Sequence, residues 1–221
     1  MKMRMSHFVS ISLVTLLAIA LPASGAGGGS VPNADPADQA IAAYDRGLGH
    51  RDKAWKLEEK AASTSDAGQK TKLEAKVRKE WDKAIRAFRS ATDADSAMHQ
   101  AFGSLGYALR KTGQFQESLA AYNQALQLQP DYMEAIEYRA EAFLGLNRLD
   151  EAKGAYMQLF RDDRERAEEL MDAMQRWVEM RQADSAGLEP STVEEFSLWV
   201  EERSEVSGST ASLQRGTDHT W

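Results

Sequence analysis

Three glutamates, Glu134, Glu137 and Glu141, stand three and four residues apart, a spacing that gathers their carboxylates on one face of a helix. Such a stripe can receive a cation or a basic segment of another molecule. Six lysines, Lys53, Lys56 and Lys60, then Lys72, Lys76 and Lys79, repeat at the same spacings and can meet something anionic. The four histidines, His7, His50, His99 and His219, fall into no metal-binding pattern such as H-E-x-x-H. The chain has no cysteine, which removes disulfides, thiolate metal sites and thiol nucleophiles. Neither a nucleophile elbow nor a phosphate loop nor a dinucleotide fingerprint is present in the sequence. The expectation is a protein without a catalytic centre, metal or cofactor, which works by binding another macromolecule.

The elements that carry these residues are helical. The 221 residues are rich in Ala, Glu, Lys, Arg, Leu and Gln, all strong helix formers, with only five prolines. A formal charge of −7 argues against a general nucleic-acid binder. At the start, Lys2 and Arg4 precede an uncharged run from Phe8 to Leu21, followed by Pro22 and the small residues Ala23 to Ala26. This is the layout of a secretory signal peptide, with cleavage expected after Ala26. The mature chain is then exported, to the periplasm of a Gram-negative bacterium or otherwise outside the cytoplasm. Residues 27–34 read as a flexible leader.

Beyond the leader the chain repeats itself every 34 residues. Ala84, Ser118 and Ala152 share this offset, as do Phe88, Tyr122 and Tyr156, and Trp81, Phe115 and Leu149. Phe102 pairs with Ile136, Gly106 with Ala140, Leu109 with Phe143, and Gly113 with Asn147. Small residues at Gly106, Ala125 and Ala140 would let helices approach, and Phe102, Tyr122, Ile136 and Tyr156 would fill the space between them. Gly113 and Asn147 suit the left-handed turn that ends a helix.

The stretch from His99 to Pro130 resembles a tetratricopeptide repeat, through Phe102-x2-Leu105-Gly106-x2-Leu109, Ser118-x3-Tyr122 and Pro130. The next unit, Met133 to Arg166, keeps the second half as Ala152-x3-Tyr156, and the first keeps Ala84-x3-Phe88. The resemblance implies an all-α solenoid of about three helical hairpins, with two full repeats over 98–166. It also implies a concave groove lined by the first helix of each repeat. By register the contacts of that groove are Gln100, Gly103, Tyr107, Arg110 and Lys111, then Glu134, Glu137, Glu141, Leu144 and Gly145. The basic clamp for a peptide carboxylate is largely missing from these positions. The acidic stripe therefore points to a basic or amino-terminal segment of a partner.

The first hairpin, 35–97, is overgrown. Asp35-Pro36 starts a helix, and Ile41, Tyr44, Leu48 and Trp55 form one seam facing Val77, Trp81, Ala84, Phe88 and Ala91 on the returning helix. Ser63 to Gly68 is the turn. If Tyr44 is the aromatic of the first helix, the alanine expected nine residues on arrives at Ala84, so about 31 residues extend the hairpin into a coiled-coil arm. From Arg46 to Lys83 there are eleven Lys and Arg against seven Asp and Glu, with i,i+4 partners at Asp52–Lys56 and Glu74–Arg78. The arm is either a solvated face or the docking element of a structural cell-envelope protein on an anionic polymer or lipid surface, and a contact of one protein's arm with another's groove is a further variant.

After the repeats, Ala167, Leu170, Met171, Met174, Trp177 and Val178 form the buried stripe of a capping helix. Ser191 and Glu194 read as a capping box opening a last helix, with Val193, Phe196, Trp199 and Val200 inward. The capping helices end near 205, and residues 206–221, closing on Trp221, read as a polar disordered tail.

Overall fold

A computed structural model describes residues 35–217 of the chain. The expected signal peptide with its cleavage point, the leader at 27–34 and Trp221 lie outside the described residues. Among the described residues every regular element is a helix: α1 (Pro36–Ser63), α2 (Ala67–Ala94), α3 (His99–Lys111), α4 (Phe115–Leu128), α5 (Met133–Gly145), α6 (Leu149–Asp162), α7 (Arg164–Ala183) and α8 (Pro190–Thr217). No helix among them is long and apolar enough to cross a membrane.

α1 and α2 are 28 residues each and form the long first hairpin. Each begins on an aspartate. The Asp35 carboxylate accepts from the Ala37 amide at 3.0 Å, and Asp66 accepts from the Gln69 amide at 2.7 Å, satisfying amides that have no partner inside the helix. The turn is therefore shorter than the sequence suggests, with Ala67 and Gly68 already helical.

The seam of this hairpin holds most of the expected residues: Tyr44, Leu48 and Trp55 pack against the cluster of Trp81, Ala84 and Phe88, and only Ile41 departs. Ile41 is 53% exposed, while Ala40, Ala43, Gly47, Ala54 and Ala61 are buried. α1 offers a row of small residues, and α2 fills it with the large buried side chains Trp81 and Phe88. A Cβ on Gly47 would stand 2.3 Å from Phe88 Cε1, so the glycine is needed for the ring to seat there. The expected large residues thus supply only part of the seam, since the small residues of α1 are the ones fully enclosed.

The i,i+4 ion pairs expected on the arm do not form. Asp52 pairs with its neighbour Arg51 at 2.9 Å, and Glu74 and Arg78 are exposed without an ion pair between them.

α3 to α6 follow the 34-residue register. Tyr122 is fully buried against Gly106, where a Cβ would meet the ring at 2.8 Å, and the Ser118 hydroxyl donates to the Gly106 carbonyl at 2.8 Å. Gly113 has φ +79° and Asn147 φ +58°, the left-handed conformation at both helix ends. Phe102 is half-buried, whereas Ile136 and Tyr156 are buried to 2% and 1% exposure.

Asp163 separates α6 from α7 and caps α7, accepting from the Arg166 amide at 3.2 Å. Arg166 therefore belongs to the first turn of α7 rather than closing the repeat before it. The buried face of α7 holds Ala167, Leu170, Met171, Met174, Trp177 and Val178, and the Trp177 indole donates to the Leu144 carbonyl at 2.9 Å. α8 adds Phe196 and Val200 to the same core, with half-buried Trp199 edge-on to Tyr156, and Val193 is buried as well. Ser191 lies inside α8, after Pro190 at its start, and exchanges no capping-box hydrogen bonds with Glu194. α8 runs on to Thr217, past the boundary near 205 that the polar composition suggests.

Candidate functional site

The odd-numbered helices share one face, and contacts run across it from each to the next. From α1 to α3, the Trp55 indole donates to the Tyr107 hydroxyl at 3.3 Å, Lys111 reaches Glu58 at 3.0 Å, and the Ser104 and Tyr44 hydroxyls lie 3.4 Å apart. From α3 to α5, Arg110 pairs with Glu141 and the Tyr107 and Tyr138 rings meet at 5.0 Å. From α5 to α7, Arg166 bonds Glu137 at 2.6 Å and stands 3.9 Å from Glu134.

Rings and guanidinium groups alternate along this face. Trp55, Trp81 and Tyr107 pack edge-on or tilted within 6.5 Å of one another. Arg110 sits 5.0 Å from the ring centres of both Tyr107 and Tyr138, and Arg51 lies over Trp55 at 4.4 Å. A guanidinium over a ring face is attracted by the ring quadrupole, and the contact also fixes the side chain for its carboxylate partner. Half-buried Trp55, Tyr107 and Tyr138 leave part of each ring open to solvent.

The acidic stripe is present in space but its electrostatics differ from the sequence reading. Glu137 is only 4% exposed, and all three carboxylates have a cation within reach, from Arg110 or Arg166. Burial raises the Glu137 carboxyl to about 7, against the pull of Arg166. Burial also raises Glu134, again opposed by Arg166. Burial works against the charge on Arg166 itself, but Glu137 and Glu134 hold the guanidinium more firmly protonated than usual. The stripe is thus neutralised from within, and the inference that it awaits a basic segment loses its premise.

The other residues assigned by register divide in two. Gln100 is exposed, and Tyr107, Arg110 and Lys111 lie on the shared face as expected. Leu144 is 4% exposed, its side chain packed into the core. Gly103 and Gly145 are seats for rings: a Cβ would meet Tyr132 at 2.8 Å and Phe115 at 2.5 Å. The sequence reading omitted Tyr44, Arg51, Trp55, Glu58, Tyr138 and Arg166 from the site.

The lysines of the arm, Lys53, Lys56, Lys60, Lys72, Lys76 and Lys79, are all exposed, and none forms an ion pair among the described residues. Among those residues no group of three His, Cys, Asp or Glu is placed to hold a metal ion.

Residues 99–132, α3 and α4 with the following turn, match the family model of the tetratricopeptide repeat. A search of curated proteins finds no relative of the chain.

Proposed function

We propose that this chain is an exported protein-interaction module that holds a segment of a partner protein along the face shared by α1, α3, α5 and α7, by binding rather than catalysis. Tetratricopeptide repeats generally mediate protein–protein contacts, and the match at 99–132 supports that mode here. The observation that carries the reading is the row of half-exposed rings, Trp55, Tyr107 and Tyr138, flanked by charges already paired with one another. Rings held in place lose little entropy on binding, and their surroundings require no neutralising charge from the ligand. The ligand side chains that fit are apolar or aromatic. Export rests on the first 26 residues, with their basic start, apolar run and small-residue cleavage site.

The test is site-specific photocrosslinking in the native host. A photoreactive residue at Gln100 or Tyr107 should capture one discrete partner, and the same residue at exposed Gln124 on α4 should not. Equal capture from Gln124, or none from either position on the shared face, overturns the reading.

A second reading concerns the arm alone, as an element that docks on an anionic surface. It is favoured by six lysines that stand exposed without counter-charges among the described residues.

A further inference from the structure

The two ends of the helix row carry opposite charge. The hairpin Pro36–Ala94 holds thirteen Lys and Arg against ten Asp and Glu, while residues 164–206 hold five against twelve. On α2 the basic residues fall on one line. Lys72, Lys76, Lys79, Lys83 and Arg86 follow at spacings of 4, 3, 4 and 3, the repeat that keeps side chains on one face of a helix. Four of the five are exposed, and Lys83, half-buried, pairs with Glu80.

α7 carries the complement. Glu165, Glu168, Asp172 and Glu179 follow at spacings of 3, 4 and 7 on the face opposite the buried stripe of that helix. All four are exposed, and none forms an ion pair among the described residues. The carboxylates of the shared face are already taken by Arg110, Lys111 and Arg166, so those on α7 are left open.

We propose that the arm of one copy docks on α7 of a second copy of this chain, α2 antiparallel to α7. This rests on the reading of the arm as an anion-docking element and names the anion. Both stripes cover fourteen residue steps, about 21 Å of helix. In the antiparallel register Arg86 faces Glu165, Lys83 faces Glu168, Lys79 faces Asp172 and Lys72 faces Glu179. Lys76 meets Gln175 and Arg176, the one mismatch. Within one chain α3 to α6 stand between the two helices in the row, so the contact is intermolecular. It joins unlike surfaces, head to tail, and continues into a ring or an open chain of subunits. Exposed ion pairs are individually weak and screened by salt, so the assembly is reversible and salt-sensitive.

Sedimentation velocity on the full chain tests this. In buffer of low ionic strength the mean mass should rise with protein concentration, and at about 0.5 M salt, where screening acts within a few ångström, it should return to the monomer. The variant Lys72→Glu, Lys76→Glu, Lys79→Glu should stay monomeric at low salt. So should Glu165→Lys, Glu168→Lys, Asp172→Lys. Mixed in equal amounts, the two variants should pair one to one, because the second keeps the native arm and the first keeps the native α7 that receives it. Two misfolded proteins would not restore each other, so the mixture also reports folding. A wild-type chain that stays monomeric at low salt overturns the proposal, as does a mixture that stays monomeric. If the monomeric wild type instead floats with phosphatidylglycerol vesicles and the lysine variant does not, the anion is lipid. The second-copy contact is then wrong, while the reading of the arm as an anion-docking element stands.

Discussion

Arg166, in the first turn of α7, donates to Glu137 of α5 at 2.6 Å, and the carboxylate it meets is almost wholly buried. One hydrogen-bonded ion pair thus joins α5 directly to α7, with α6 lying between them in the sequence. Removing one partner of a buried pair leaves the other uncompensated. Arg166→Met is expected to lower stability by about 3 kcal/mol at pH 8. At pH 5 the loss should be smaller, because Glu137 is then neutral and its lost partner matters less. Urea titrations at the two pH values check this. An equal loss at both would separate the stability of α7 from the charge of Glu137.

Glu137 also sets a pH dependence of its own. Its folded carboxyl titrates near 7 because burial disfavours the charge, whereas the unfolded chain releases that proton at an ordinary carboxylate pH. Between these values the folded state binds more protons, so stability from this group is greatest at low pH and falls as pH rises toward and through 7. Arg166, Glu141 and Arg110 act on Glu137 together, and Glu134 shares Arg166 with it. Comparison with Glu137→Gln isolates the group. The difference between wild type and variant should change by roughly 2–3 kcal/mol from pH 4.5 to pH 8, with the wild type losing ground as pH rises. Parallel stability curves would place the titration elsewhere.

Gly47 and Gly49 stand two residues apart on nearly opposite faces of α1, one buried and one exposed, and predict opposite outcomes. Gly47→Ala drives a methyl group into the Phe88 ring and should cost about 1–3 kcal/mol. Gly49→Ala meets nothing within 4 Å and should stabilise the helix by about 0.5–1 kcal/mol, since alanine loses less backbone freedom. Thermal denaturation of the two variants decides it. A stabilised Gly47→Ala would show that the hairpin packs in a different register.

Tyr122 separates the worth of a ring from that of its hydroxyl. The side chain is fully buried, and its oxygen lies beside the Arg110 guanidinium without a well-formed hydrogen bond. Tyr122→Ala should cost about 3–5 kcal/mol through the cavity left over Gly106. Tyr122→Phe should cost under about 1 kcal/mol, because little hydrogen-bond energy is lost. Chemical denaturation distinguishes the two, and equal losses would mean the hydroxyl is a structural partner of Arg110.

What could be read in advance was periodic. The offset of 34 residues placed α3 to α6, paired Gly106 with Tyr122, and marked Gly113 and Asn147 as left-handed helix ends. The inward face of α7 followed from its spacing in the same way. Local spacing shows which residues share a face; it does not show what stands opposite. Glu137 and Arg166 are 29 residues apart, and Arg110 and Glu141 are 31 apart, so neither pair is visible in any helical period. That is why the acidic stripe looked unpaired. In the seam of α1, Tyr44, Leu48 and Trp55 pack as their spacing indicates, whereas Ile41 faces solvent and the small residues beside the seam are the ones fully enclosed, a division that apolar spacing does not show.

The first hairpin has a mechanical consequence. Near its base, Trp81 and Phe88 pack with Leu105 and Leu109 of α3, while Leu73 and Ala61, farther out, belong to no cluster shared with another helix. From Trp81 outward to Ala67 the helix runs fourteen residues, about 21 Å. The distal half is therefore a lever with its fulcrum at the α3 contact. A tilt of about 5° at the fulcrum carries the tip through roughly 2 Å over that length. Strain too small to disturb the packing of Trp81 thus becomes a displacement at Ser63, the size of a lost or gained ionic contact.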